Sequence, residues 1–167
     1  EHAFEFHELP SDDLILSVGL VRARPGVFVD TIKHVLVLSI GPTAVAGRRV
    51  VLLGIQTTDT GIKLYETGMQ ASTNGVVMRS IHGTDTGRVF CVGSDQCVHE
   101  LVYQAQEGWF YSRCYLHNIT QPHLANLLPS FFKADKKISM VSVDNARRLL
   151  YVLRDGDQID VYALGHG

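Results

Sequence analysis

Eight histidines, three cysteines and several paired carboxylates are the groups here that could hold a metal or move a proton. Their spacing supports neither. His2, His7, His34, His82, His99, His117, His123 and His166 form no HExxH pair and, with the cysteines, no zinc pattern. No GxSxG elbow, phosphate-cradling P-loop or Gly-rich dinucleotide fingerprint occurs. Asp12-Asp13 and Asp155/Asp157 fall at turn positions, where Asp is favoured for local hydrogen bonds. No catalytic, cofactor-binding or metal-binding residue is therefore assigned. An enzyme would need titratable groups gathered by the fold, and too few present themselves.

The pattern with the clearest physical consequence is apolar. In Thr120-Gln-Pro-His-Leu-Ala-Asn-Leu-Leu-Pro-Ser-Phe-Phe-Lys133, Leu124, Leu127, Leu128, Phe131 and Phe132 follow i, i+3, i+4, i+7, i+8. That spacing lines one face of a helix. Pro122 suits an early helical position and Lys133 suits the C-terminal end of the dipole. Pro129 should kink or shorten the helix. The opposite face offers His123, Asn126 and Ser130, with almost no charge. Such a helix either packs on the edge of its own domain or inserts into lipid-packing defects, a curvature-sensitive mode. Full burial of each side chain stabilises by roughly 1.5–3 kcal/mol. Shallow insertion leaves a few kcal/mol after the cost of ordering the segment, so retention would need many copies.

The elements that must carry this segment are strands. The chain has 167 residues, enough for about one compact domain. It is 46% hydrophobic and 19% charged, which allows a sizeable core. A net charge of −2 does not suggest a nucleic-acid surface, and the pairs Arg48/Arg49 and Arg147/Arg148 read as solvated strand or turn ends. Cys91, Cys97 and Cys114 are odd in number and lack CxxC spacing. They read as reduced, structural thiols, which points to cytoplasm or nucleus, and the Asn118-Ile-Thr120 sequon would then stay unused. The first residues lack the apolar core of a signal peptide, and no run is long enough to span a bilayer. Without an initiator Met, the chain is expected to belong to something longer.

Three sets of short strand-like runs follow one another. Leu14–Val21, Ile32–Ile40, Val50–Ile55 and a weaker Ile62–Glu66 form the first. Val76–Ile81, Arg88–Gly93, Val98–Tyr103 and Trp109–His117 form the second. Ile138–Val143, Arg148–Leu153 and Gln158–Leu164 form the third, with Asp155-Gly156 a strong hairpin signal. Arg88-Val-Phe-Cys-Val-Gly-Ser-Asp95 and Arg148-Leu-Leu-Tyr-Val-Leu-Arg-Asp155 share one shape: Arg, four apolar residues, then a turn ending in Asp. Antiparallel units in series are the signature of propeller blades, because one blade cannot bury both faces alone. The predicted fold is thus all-β, a β-propeller fragment of about three four-stranded blades, near 12–67, 75–120 and 137–165. The short amphipathic helical loop at 120–137 lies between the second and third. Three blades leave two raw faces, which neighbouring blades would cover. An immunoglobulin-like sandwich competes less well against the repeated Arg-to-Asp hairpin. Trp109-Phe110 is expected to cover the outer strand of its own blade rather than form an exposed binding patch.

Certain strings resemble a known family. Thr84-Asp-Thr-Gly-Arg-Val-Phe90, Tyr103-Gln-Ala-Gln-Glu-Gly-Trp-Phe110, Val143-Asp-Asn-Ala-Arg-Arg-Leu-Leu-Tyr151, Ile159-Asp-Val-Tyr-Ala-Leu-Gly165 and Gly19-Leu-Val-Arg-Ala-Arg-Pro-Gly-Val-Phe28 carry the likeness. It is to the N-terminal β-propeller of the large inner-ring scaffold nucleoporins, the nucleoporin 155/170 type. The resemblance is weakest from Gly41 to Gly75, and the loop between Phe132 and Ile138 is shorter than the family pattern. It implies a non-enzymatic scaffold of the nuclear pore complex inner ring at the nuclear envelope, supporting nucleocytoplasmic transport. Implied partners are other nucleoporins (linker and inner-ring components), pore-membrane proteins and envelope lipid, with no cofactor, specific nucleic acid or small-molecule substrate. The matching loop contacts membrane in the family, so that role passes to Leu124, Leu127, Leu128, Phe131 and Phe132. No partner-binding residue is assigned. The alternative is a generic propeller interaction module of another coat or adaptor, without membrane contact.

Overall fold

A computed structural model describes residues 8–9, 12–42, 47–106, 113–120 and 136–166. The described residues form eleven strands and no helix. They are β1 (Leu14–Arg22), β2 (Ile32–Gly41), β3 (Arg49–Thr58), β4 (Gly61–Ser72), β5 (Met78–Gly83), β6 (Val89–Gly93), β7 (Val98–Tyr103), β8 (Cys114–Asn118), β9 (Ile138–Asp144), β10 (Leu149–Arg154) and β11 (Gln158–Ala163). Each sheet is an antiparallel meander in chain order: β1 to β4, β5 to β8, and β9 to β11. The first two sheets have the four strands expected of them. The third has three among the described residues, matching the three runs read there rather than the four of a full blade. The predicted helical loop lies outside the described residues, as do Trp109 and Phe110.

Burial explains why the inner runs are apolar without alternation. Every residue of β6 is buried. Val89 and Cys91 face the first sheet, in a core with Val21, Val35, Val37, Val50 and Leu52. Phe90 and Val92 face the third, in a core with Ile138, Val141, Leu150 and Val152. A strand covered on both faces has no polar side to present. The outer β4 instead mixes exposed Lys63 and Glu66 with buried Met69 and Ala71, and such charges blunt a sheet edge.

Close packing of the first strands fixes how the sheets meet. β1 lies beside β5, and β5 touches β9 more lightly. At Gly19 a Cβ would stand 2.7 Å from Ile81 Cγ2, so only glycine admits this approach. Gly87 has φ +85°, and its carbonyl accepts from the buried Tyr103 hydroxyl at 2.6 Å. Asp155 and Gly156 both hold the left-handed conformation, as their hairpin signal requires.

Candidate functional site

The five residues predicted to touch membrane, Leu124, Leu127, Leu128, Phe131 and Phe132, lie outside the described residues. The structure instead defines the two stems between which they run. On the incoming side, Ile119 N donates to Val98 O at 3.0 Å and Val98 N donates to Thr120 Oγ1 at 3.0 Å. Asn118 Oδ1 accepts from both the amide and the hydroxyl of Thr120, each at 3.1 Å. The sequon asparagine thus closes a local turn. On the outgoing side, Ile138 N donates to Gln96 Oε1 at 2.8 Å, and Arg154 reaches Lys136 O at 3.0 Å and Gln96 O at 3.2 Å. Gln96, held at φ 62° in the β6–β7 turn, is shared by the second and third sheets at this point. Both stems are therefore fastened at the end of the molecule where β6 turns into β7.

The opposite end carries a cavity of about 310 Å³ that the sequence reading did not foresee. The connections between the first and second strand of each sheet meet there with the segment after β11, bringing together Arg24, Thr84, Arg88, Asp144, Arg148 and His166. Arg88 is held on two sides. Its Nε and Nη2 grip Glu100 at 2.7 and 2.9 Å, and Nη1 donates to Leu164 O. The Arg24 guanidinium lies 5.4 Å from the centre of the Tyr103 ring. Arg148, in the left-handed conformation at φ 55°, contacts His166 Nδ1. The Arg147 amide and guanidinium bond Asp144 and hold its carboxyl below the usual carboxylate range. Arg88 and Arg148 open the two repeated Arg-to-Asp hairpins, so the repeat contained two of these six residues. Their apposition depends on how successive sheets stack, which no local pattern records.

Cys91 and Cys114 pack as small apolar side chains, as their apolar neighbours suggest. Cys91 and Cys114 are buried and Cys97 is half-buried, all as free thiols. Burial pushes both Cys91 and Cys114 up to about 12, so neither is a thiolate near neutral pH. Among the described residues no group of three His, Cys, Asp or Glu could hold a metal ion. No helix among them is long and apolar enough to cross a membrane. The arginine pairs are less bland than expected. Arg49 binds Asp13 at 2.7 Å and Arg48 donates to Gly75 O at 2.8 Å, tying β3 to neighbouring connections.

Two outer faces stay apolar and open. On β1, Val18 and Leu20 are 56% and 61% exposed. On the third sheet, Met140, Ile159 and Val161 are likewise exposed. A serial stack of antiparallel sheets with a doubly buried centre and greasy ends is the architecture of a repeat scaffold.

Known proteins agree with that class. A family model described as Nucleoporin_N, Nup133 N terminal like, matches residues 2–167. Nuclear pore complex protein Nup154 of Drosophila melanogaster is 36% identical over 156 residues, covering 89% of this chain and 11% of that protein. Nucleoporin NUP170 of Chaetomium thermophilum is 36% identical over 160 residues, again 89% of this chain and 11% of that one. The solved complex of the Chaetomium thermophilum Nup170 NTD with Nup53 superposes with a TM-score of 0.74 at 36% identity, covering 91% of this chain and 21% of that one. The chain belongs to the Nup133 N-terminal-like family of nucleoporins, with Nup154 and Nup170 proteins among its relatives. It spans about a tenth of the length of these curated relatives.

Proposed function

We propose that this chain is part of a β-propeller that scaffolds the nuclear pore complex inner ring without catalysing a reaction. Family membership places it at the nuclear pore complex of the nuclear envelope. The observation that carries the propeller reading is the doubly covered middle sheet flanked by two open apolar faces. The packing of first strand β1 beside β5, with a lighter touch of β5 on β9, supports it, because blades in a ring gather their first strands about a common axis. Further blades would cover the open faces. Other nucleoporins are the partners this reading favours, and the Nup170 NTD relative is solved bound to Nup53. Pore-membrane proteins belong to the same proposal.

The finer part of the proposal is membrane contact. Residues 121–135 would lay Leu124, Leu127, Leu128, Phe131 and Phe132 into the curved envelope. Support comes from their helical spacing, the nearly uncharged opposite face and two fastened stems that present the segment at one end. The competing reading is a propeller interaction module with this segment packed on its own surface. Co-flotation with small liposomes separates the two. Wild-type protein should float, and Leu128→Asp plus Phe131→Asp should abolish flotation while leaving the circular dichroism spectrum unchanged. A double mutant that floats as well as wild type refutes the membrane role.

A further inference from the structure

We propose that the cavity formed by Arg24, Arg88 and Arg148 is a docking site for an acidic segment of a protein partner, seating one of its carboxylate side chains. The charge balance points this way. Arg88 is neutralised by Glu100, and Asp144 is occupied by Arg147. Among the described residues neither Arg24 nor Arg148 has a carboxylate partner: one rests over Tyr103 and the other meets the His166 ring. Two guanidinium groups therefore face one cavity with their charge uncompensated, in a chain whose net charge is −2. The volume of about 310 Å³ accommodates a side chain and its flanking backbone. Guanidinium groups bind carboxylates through paired, charge-assisted hydrogen bonds. The Arg88–Glu100 clasp gives the cavity a fixed wall, so little ordering is needed on binding.

The site also lies at the right end for a protein. The first-to-second-strand connections that build it are at the opposite end of the strands from the stems of residues 121–135. With that segment turned to a membrane, the cavity would face away from it, toward protein.

The test uses the full-length protein and fluorescence anisotropy with a labelled peptide alternating glutamate and glycine. Saturable binding is expected, weakening as salt rises. Arg24→Glu with Arg148→Glu should weaken it at least about tenfold. Lys63→Glu with Arg79→Glu, both exposed and away from the cavity, should leave it unchanged. If the acidic pair disturbs folding, Arg24→Gln with Arg148→Gln carries the same test. The proposal is overturned by absence of saturable peptide binding, by equal binding of a glutamine–glycine peptide, or by indifference to both arginine substitutions. Phosphatidylserine vesicle capture that is lost on both arginine substitutions, without peptide binding, likewise overturns it in favour of a lipid surface.

Discussion

Diagonal charge pairs fasten hairpins of the second and third sheets. Arg88 at the start of β6 reaches diagonally across the sheet to Glu100 on β7, and Arg154 at the end of β10 reaches diagonally to Asp160 on β11 at 2.7 Å. Diagonal cross-strand pairs are within reach of long side chains. The Arg88 pair is shielded, with both side chains 13% exposed, and Arg88 also lies 5.3 Å from the centre of the Phe90 ring. Removing one partner leaves a poorly solvated charge, so Arg88→Ala should destabilise by about 3 kcal/mol. Adding Glu100→Ala should recover part of that loss, and a double-mutant cycle in urea would measure the coupling. Additive losses would mean the pair is not a unit. Arg88 was legible as a repeat position, whereas Arg154 aligns with Ser94 of the other hairpin. The acidic partners of both were not legible, because the partner depends on strand register.

At the scale of elements, most strands were legible as apolar runs bounded by turn residues, the exposed β1 and β11 among them. The β7 run, Val98–Tyr103, was read to the residue, and β2, β6 and β10 within a residue or two, because strands inside a sheet are rich in apolar and β-branched residues even where β7 carries His99 and Glu100. The outer β4 runs from Gly61 to Ser72, well beyond the Ile62–Glu66 segment read from sequence. Its exposed charges, Gly68 and the register shift opposite Val51 and Leu53 hide the period of two. Gly19 was noticed only as part of a family string, yet it permits β1 to lie against β5. Gly19→Val would force side-chain carbons into Ile81, whose backbone oxygen would stand 3.0 Å from the new Cβ. Overpacking of this kind costs roughly 1–3 kcal/mol. Thermal melts should show a lower midpoint for Gly19→Val and a smaller loss for the exposed control Lys63→Val. Equal losses would remove the close approach as the cause.

For the whole molecule, the decisive quantity is apolar area left open at the ends of the stack. The sequence predicted two raw faces from the number of repeats alone. The structure locates them at Val18 and Leu20 on β1 and at Met140, Ile159 and Val161 on the third sheet. Contiguous apolar patches drive association unless something covers them. The 167-residue chain by itself should therefore self-associate, and Leu20→Lys with Val161→Lys should shift it toward monomer in light scattering. In the full-length protein the same substitutions should act in the opposite sense. If neighbouring blades cover these positions, burying each lysine forfeits roughly 1.5–3 kcal/mol of hydrophobic stabilisation and lowers the melting midpoint. If the faces remain in solvent, each change stays within about 0.5 kcal/mol, as for ordinary surface substitutions. One pair of variants, measured in the short and the full-length chain, thus distinguishes a ring closed through these faces from a stack that ends at them.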